Sequence, residues 1–399
     1  MESISTDGTA DRIRTVRKRR GMTQRELATA AGLSPSTVKK IEQDGYPSMR
    51  LETLHKLARA LRVTTSVLAA GPDAEEPERV DVDLWEPVRR ALEGAPGTEP
   101  DEEPTLDGLR AAFGAAMPPL VANHYDEVRF MLPSLLRDAD RLVAQSVNGT
   151  QSAARSLRSQ IRQVTALLMS HTWQFDTAAE AVELARDDAG DGLTQMAAVD
   201  QQCWGLIRAG RLGETRELAA RWADDAEPRI SRATPDELAA WGRLLIRVST
   251  AAVRDNRPGE AADALKLARV AAVACANDFR LPSSPWDTFG PSTVAVIAAE
   301  NAVIQERPEA ALSIGAHLRR ESFPNSRYWY RHRLDAARAH VMIREYAEAV
   351  EVLQEIHAAA PEWLVQQRYA RDILGRIVDK RRTLTDEMRD LADAVRLPL

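Results

Sequence analysis

The sequence has only two cysteines, Cys203 and Cys275, and both lie in helical patterns without the spacing of metal ligands. This excludes a disulfide-rich scaffold and favours buried thiols in a reducing compartment. No apolar run approaches the roughly 18 residues that a membrane span requires. The first residues, MESISTDGTADR, lack the charged and then apolar layout of a signal peptide. These absences predict a cytoplasmic protein without membrane contact.

Signatures of catalysis are missing as well. The sequence contains no HExxH zinc motif, no GxxxxGK(S/T) phosphate loop and no GxSxG nucleophile motif. The seven histidines show no ligand spacing; they are His55, His124, His171, His317, His332, His340 and His357. We therefore expect no enzyme activity, no cofactor and no metal site. An enzyme hidden in the C-terminal part is the less favoured alternative.

Positive charge is scarce overall but concentrated at one end. The formal net charge is −6, yet residues 1–71 carry a net charge of +6. Residues 72–105 carry −9, which leaves −3 for the remainder. A basic module is therefore joined by an acidic linker to a mildly acidic body. Such asymmetry is typical of a nucleic-acid-binding module attached to another domain.

Residues 22–43, MTQRELATAAGLSPSTVKKIEQ, predict two short helices joined by a tight turn. Thr23 and Glu26 fit a capping box at the start of the first helix. Gly32 suits the left-handed residue at its end, and Ser34 suits the N-cap of the second helix. Two helices of this kind form a helix-turn-helix whose second member enters the DNA major groove. A helix-turn-helix retained only for protein contact is the alternative.

Residues 10–70 resemble a Cro/C1-type helix-turn-helix domain of the xenobiotic-response-element-like (XRE) family. The resemblance is carried by Thr23-Gln24, Glu26-Leu27-Ala28, Ala31-Gly32-Leu33-Ser34 and Val38-Lys39-Lys40-Ile41-Glu42. It implies a five-helix domain in which the third helix contacts bases and Gln24 contacts a phosphate. The DNA-binding residues that we assign are Arg14, Arg17, Gln24, Arg25, Ser34, Ser36, Thr37, Lys39 and Lys40. Pro35 stands where relatives carry Gln, so specificity would depend on lysine and on DNA shape.

Residues 71–105 predict an acidic, proline-rich linker that is largely extended. Within it, Leu84, Trp85, Val88 and Leu92 have the spacing of a short amphipathic helix. This helix would either dock on its own body or form a dimer or interdomain contact.

From residue 106 to residue 399 the apolar pattern is helical and repeats, with no strand-like alternation. Related helix starts occur at Tyr125, Phe175, Leu212, Pro258, Pro308 and Tyr346. Three residues beyond them stand Val128, Ala178, Thr215, Ala261, Ala311 and Ala349, which are mostly small. The predicted antiparallel pairs are 106–122 with 125–147, 153–171 with 175–188, 192–209 with 213–225, 235–255 with 259–276, 291–305 with 308–319, and 327–343 with 346–358. Stacked pairs of this kind form a superhelix with a concave surface.

This body resembles the tetratricopeptide-like sensor domains that follow Cro/C1-type modules in actinobacterial regulators. The likeness is carried by Phe289-Gly290-Pro291-Ser292-Thr293-Val294 and by Leu334-Asp335-Ala336-Ala337-Arg338-Ala339. The excess of arginine over lysine, 47 against 6, is typical of GC-rich genomes and agrees with such a source.

The irregular stretch 277–293 is longer than the turn between paired helices needs, and long ordered loops are often functional. One hypothesis for this stretch is a ligand pocket, because rigid aromatic side chains give a large contact area. Its predicted ligand-binding residues are Trp241, Arg243, Arg247, Trp286, Phe289 and Asn301. The alternative is an insertion that packs on the convex side.

Together these patterns predict an all-α chain with a helix-turn-helix domain at 10–70, a linker at 71–105 and a repeat domain at 106–399. The predicted function is that of a nucleoid-associated transcriptional regulator that binds a double-stranded DNA operator as a homodimer. Its repeat domain would sense a small molecule or a peptide. The alternative is a DNA-tethered protein-interaction scaffold with no small ligand.

Overall fold

The computed structural model describes residues 3–4, 8–43, 49–61, 63, 68, 83–95, 103–323, 326–381 and 383–397. Its contacts divide the chain into two compact units. The N-terminal unit comprises residues 1–82 together with residues 345–399, and the central unit comprises residues 83–344. The predicted domain limits of 10–70, 71–105 and 106–399 stay predictions.

The N-terminal unit begins with helices packed around one apolar core. They are α1 (Thr9–Arg19), α2 (Gln24–Ala31), α3 (Pro35–Glu42) and α4 (Leu51–Ala60). Strand β1 (Ser3–Ile4) pairs antiparallel with strand β2 (Met49–Arg50). The inward residues recur at helical spacing, which lets each helix bury one face. This core contains Ile13, Val16, Leu27, Ala28, Ala31, Val38, Ile41, Met49, Leu54, Leu57, Ala58, Leu61 and Leu68.

The predicted fifth helix of this core falls almost wholly outside the described residues. Leu68, the described residue of that helix, is buried, and its carbonyl accepts a hydrogen bond from Arg12 Nε at 2.9 Å.

The central unit contains successive antiparallel helix pairs. Its helices are α5 (Glu86–Leu92), α6 (Leu106–Ala122), α7 (Tyr125–Gln145), α8 (Gln151–His171), α9 (Phe175–Asp188), α10 (Gly192–Arg208), α11 (Leu212–Asp225), α12 (Pro235–Arg254), α13 (Pro258–Cys275), α14 (Pro291–Ile304), α15 (Pro308–Gly315) and α16 (Ser326–Met342). The first helices of consecutive pairs, from α8 to α16, contact one another in order. The described chain is thus almost entirely helical, and the predicted all-α fold with tetratricopeptide-like hairpins is confirmed.

The remaining helices belong to the N-terminal unit. They are α17 (Tyr346–Ala359), α18 (Pro361–Val365), α19 (Arg368–Val378) and α20 (Asp386–Ala394).

The turns inside the pairs share one backbone geometry, which explains why the related helix starts were visible in the sequence. A residue with positive φ stands two positions before each helix start. In the turns at Asn123, Trp173, Gly210, Asn256 and Glu306, the next residue donates its amide to the carbonyl five positions earlier, as His124 N does to Pro119 O at 2.9 Å. This is a Schellman-type end that satisfies the last free carbonyls of the first helix. The left-handed residues are Asn123, Trp173, Gly210, Asn256, Glu306 and Arg344.

The small residues after those starts are buried where helices approach closely. All six are at most 4% exposed: Val128, Ala178, Thr215, Ala261, Ala311 and Ala349. Their burial agrees with the predicted role as close-packing positions.

The prediction that no strands occur after residue 106 is wrong at one place. Strands β3 (Phe279–Leu281) and β4 (Ser284–Phe289) form an antiparallel hairpin. This hairpin follows α13 and is anchored at its base by Asp278, whose carboxylate accepts from the backbone amides of Ser292 and Thr293 at 3.0 and 3.1 Å. A helix N-terminus offers free amides that a carboxylate can cap, so the loop is tied to α14. The sequence pattern did not predict the hairpin because both strands are short and β4 is almost fully buried, so neither shows a clear alternation of polar and apolar residues.

Helix α5, predicted within the linker, docks on its own body. Val88, Ala91 and Leu92 are buried, and the helix packs on α7. Arg89 Nη1 donates to Gln174 Oε1 at 2.5 Å. The first of the two alternatives for this segment is therefore the one that the structure supports.

Candidate functional site

The turn between α2 and α3 is built as the sequence predicts. Thr23 Oγ1 accepts from Glu26 N at 3.2 Å, and Glu26 Oε2 accepts from Thr23 N at 2.7 Å, which completes the capping box. Gly32 has φ +62°, a left-handed conformation that glycine adopts at little cost. Ser34 Oγ then accepts from Thr37 N at 3.1 Å and starts α3. Local sequence therefore fixes the angle at which α3 leaves the turn.

The outer face of α3 is open to solvent. Ser34, Pro35, Ser36, Lys39 and Lys40 are exposed and Thr37 is half-buried. Val38 and Ile41, on the opposite side, are at most 1% exposed. The burial pattern thus separates a core-facing side from a side that carries hydroxyl and ammonium groups, the donors that contact phosphates and base edges. Arg14 on α1 and Arg25 on α2 are exposed as well.

Arg17, predicted to contact DNA, is instead a core residue. Its Nε and Nη2 donate to the two carboxylate oxygens of Glu42 at 2.5 and 2.8 Å, and its Nη1 donates to Met22 O at 2.7 Å. The Glu42 side chain is 1% exposed. A guanidinium held by a buried carboxylate and a carbonyl is committed to the fold, so the basic stripe predicted on α1 is interrupted at this position.

Gln24 belongs to the same arrangement. Its Nε2 donates to Glu42 Oε2 at 2.9 Å while the residue stays partly exposed at the start of α2. The carboxylate fixes the amide plane, which leaves the second N–H of the amide for another acceptor. The predicted phosphate contact by Gln24 stays a prediction.

Two further arginines, at the end of α1 and just after it, face the C-terminal helices of their own unit. Arg20 Nη1 lies 2.8 Å from Asp393 Oδ1, and Arg19 Nη2 lies 3.6 Å from Asp379 Oδ1. Both arginines are thus paired within their own unit. Among the described residues of α1, α2 and α3, the exposed cations are Arg14, Lys18, Arg25, Lys39 and Lys40.

This arrangement agrees with a comparison with known families. Residues 13–68 match the helix-turn-helix family HTH_3. The chain therefore carries a Cro/C1-type helix-turn-helix domain. Such a domain indicates a DNA-binding transcription regulator.

Comparisons of the whole chain add little. The apo form of ComR from S. thermophilus is similar at 12% identity, over 86% of this chain and 97% of that chain, with a TM-score of 0.25. A TM-score of this size does not establish a shared fold. No curated protein sequence matches the chain. Within the described residues, no helix is both long and apolar enough to cross a membrane.

Beyond the helix-turn-helix domain, the predicted ligand pocket is filled by protein. Trp286 and Phe289 of the hairpin are 0% exposed. The ring of Phe289 lies so close to Gly242 of α12 that a Cβ there would be 2.1 Å from it. Trp286 stacks edge-on against Phe113 of α6 with ring centroids 6.4 Å apart. The two aromatic residues are therefore core residues that pack against α6 and α12, and the hairpin fills the space of the predicted ligand pocket.

The predicted arginines anchor this hairpin from α12. Arg243 Nη2 lies 2.5 Å from Asp200 Oδ2 and 3.0 Å from Asp287 Oδ2, and its Nη1 donates to Thr288 O at 3.2 Å. Arg247 binds both oxygens of Asp200 at 2.8 and 2.9 Å. We call Asp200, Arg243, Arg247 and Asp287 the buried charge cluster. All four side chains are at most 10% exposed, so their charges are satisfied by one another.

The two remaining predicted ligand residues lie apart from this cluster. Trp241 points into the helix core, where its Nε1 donates to Ala223 O at 3.1 Å. Asn301 donates to Ser249 Oγ at 2.9 Å. The structure therefore brings Arg243 and Arg247 together and assigns Trp241 and Asn301 to helix packing.

Burial and ion pairing oppose each other in this interior. Burial alone would raise the pKa of Asp200, and the guanidinium groups of Arg243 and Arg247 more than offset this and lower it. Burial likewise would raise the pKa of Glu300, but Arg254 and Arg331 lower it to about 2. Both carboxylates are therefore ionised at neutral pH and hold their arginines in place.

Proposed function

We propose that this protein is a sequence-specific transcriptional regulator without enzyme activity. Its helix-turn-helix domain binds operator DNA, and its repeat body dimerises and senses a small molecule or a peptide. A two-fold dimer would read half-sites about 10 base pairs apart, or a multiple of that spacing.

The observation that carries this proposal is the solvent-exposed face of α3. Its hydroxyl-bearing N-terminal turn, together with Lys39 and Lys40, stands on the side opposite the core residues Val38 and Ile41. In helix-turn-helix domains the helix in this position lies in the major groove with its N-terminal residues on base edges. Phosphate neutralisation by the exposed cations would make affinity strongly dependent on salt.

Replacing Lys39 or Lys40 with alanine is expected to weaken DNA binding and reduce its salt dependence. Removal of one lysine–phosphate ion pair should lower the slope of log affinity against log salt by about 1. The wild-type protein should lose ~10³-fold or more in affinity between about 50 and 200 mM salt if ~6 phosphates are neutralised. The measurement is a gel-shift series on a duplex selected from a random library.

Lys266→Ala is the matched control, because Lys266 is 71% exposed on α13 and its replacement removes the same charge from the repeat body. It should bind the selected duplex as the wild type does. Wild-type binding that is insensitive to salt, or equal affinity in both α3 variants and the wild type, would remove the DNA-contacting role from this face.

An exposed apolar stripe on α13 supports dimerisation. Leu267, Val270 and Val273 are 46%, 46% and 69% exposed and follow one another at three-residue spacing. Residues three apart on a helix lie side by side, so together they form a continuous apolar strip. A strip of this kind on a repeat body is a surface that a second copy could cover.

Val270→Glu is expected to raise the dimer dissociation constant by about tenfold or more, since a charge would be buried at the centre of the contact. Light scattering after size-exclusion chromatography measures it. Val147→Glu places the same charge at a residue that is 79% exposed outside the strip, and should leave the dimer intact.

The same strip also favours the second candidate function, a DNA-tethered scaffold without a small ligand. A wild-type monomer in solution would favour the scaffold.

A further inference from the structure

A cavity lies where the pair α8 and α9 meets the pair α10 and α11. Its volume is about 560 Å³, within the range of small-molecule sites. The cavity exists because small residues stand where the pairs meet and leave the space between the helices unfilled. These residues are Ala178, Ala179, Gly205 and Ala209.

The cavity has an apolar wall. Phe175, Val182, Leu206 and Leu218 line it, contributed by α9, α10 and α11. Val182 is 3% exposed and the other three are partly exposed, so their surface is open to a bound molecule. A ligand with an apolar body would gain by covering this surface.

The charged residues that line the cavity are mostly acidic. They are Asp176, Glu183, Glu214 and Arg211, and Arg211 Nε already binds Glu214 Oε1 at 2.7 Å. Within the described part of the chain, Asp176 and Glu183 are exposed without an ion-pair partner. Arg186, which does not line the cavity, donates to Gln202 at 3.4 Å. The lining therefore favours a positively charged ligand over a negatively charged one.

A buried acceptor points to the same class of ligand. Gln201 lines the cavity and is 3% exposed. Its Nε2 donates to Asp287 Oδ2 at 3.2 Å, which assigns the other amide atom, Oε1, as an acceptor. This oxygen is buried and lacks a hydrogen-bond partner among the described residues. A buried unpaired acceptor is costly, and a donor group on a ligand would satisfy it.

We infer that this cavity binds a small organic cation with an apolar body, whose charged group faces Asp176 and Glu183 and whose N–H reaches Gln201. Gln201 also donates to Asp287 of strand β4. The Gln201 side chain would therefore link the ligand to the hairpin β3–β4. This inference rests on the proposed function only in taking the bound cation as a signal for DNA binding. Binding of the cation itself is measured without DNA.

The test uses three probes that differ in one group: 4-phenylbutylamine, 4-phenylbutanol and 4-phenylbutyrate. Ligand-observed NMR titration of the full chain should show that the amine binds more tightly than the alcohol, and that the carboxylate binds least. Gly205→Leu should weaken the amine by at least tenfold, because the new side chain occupies the cavity. Asp176→Asn combined with Glu183→Gln should weaken the amine by about tenfold and leave the alcohol unchanged.

Gly205→Ala is the control for folding. The nearest atom to a Cβ at this position is Ser170 Oγ at 3.6 Å, an ordinary contact. This variant should keep the wild-type melting temperature and bind the amine. Equal binding of the amine by Gly205→Leu, equal affinity for the carboxylate, or no binding of the amine by a folded wild type would each overturn the inference. DNA binding is measured separately. Absence of DNA binding would contradict the proposed function and would leave the inference about the cavity standing.

Discussion

Glu42→Ala is expected to destabilise the helix-turn-helix domain by about 3–5 kcal/mol, the usual cost of removing one member of a buried ion pair. The variant leaves the Arg17 guanidinium in the core without its carboxylate, although Nη1 keeps its bond to Met22 O. It also removes the acceptor of the Gln24 amide. Hydrogen exchange of the α1–α3 amides in the full chain measures this loss of stability. Where opening of the domain governs the rate, exchange should be faster by roughly 10²–10³-fold or more.

A paired replacement separates charge from volume. Arg17→Met combined with Glu42→Leu removes both charges and keeps apolar bulk, so it should restore much of the protection against exchange. Lys18→Ala, at the exposed neighbour of Arg17, should leave exchange unchanged. If Glu42→Ala exchanged like the wild type, the ion pair would not support the fold, and Arg17 would again be available for DNA.

Asp200→Ala is expected to have an effect of similar size on the central unit. Asp200 is the shared partner of Arg243 and Arg247, and its removal leaves two buried guanidinium groups with one fewer carboxylate. We expect about 3–5 kcal/mol of destabilisation, or a fall in melting temperature on the order of 6–20 °C for a unit of this size. Tryptophan fluorescence during heating reports it, because Trp204 and Trp286 lie near this cluster.

Asp263→Ala is the matched control for this experiment. Asp263 pairs with Lys266 at 2.9 Å, but both side chains are more than 70% exposed. Exposed pairs contribute about 0–1 kcal/mol, so the melting temperature should hardly change. Equal melting temperatures for Asp200→Ala and Asp263→Ala would mean that the buried charge cluster does not stabilise the central unit.

The stability of the wild type should depend more strongly on pH in the acidic range than that of Asp200→Ala. The pKa of Asp200 is lowered in the folded state, so its contribution is present above the pKa of the unfolded carboxyl and is lost as pH falls through the folded value. Glu300, with a pKa of about 2, contributes in the same way. The wild type should therefore lose stability below about pH 4, and Asp200→Ala should lose less over the same interval.

In the helix-turn-helix domain, the local sequence pattern was enough to predict the helices and their ends. The caps at Thr23 and Ser34, the left-handed Gly32 and the spacing of the core residues act over a few positions, so each could be read from the sequence. The same holds for the helix pairs, because each turn repeats a Schellman end with a small residue shortly after it. In both cases the interaction that determines the structure lies within one turn of helix.

Only the tertiary structure decided the roles of individual polar side chains. Arg17 is one of several basic residues on α1 until the fold brings Glu42, 25 positions away, against it. Arg243 and Arg247 are paired with Asp200 across more than 40 positions, and the hairpin fills the space where a ligand was expected. Sequence determined the helices and their order because those depend on neighbours along the chain. Which charges are buried, and where space remains between helices, depends on residues that meet only after folding.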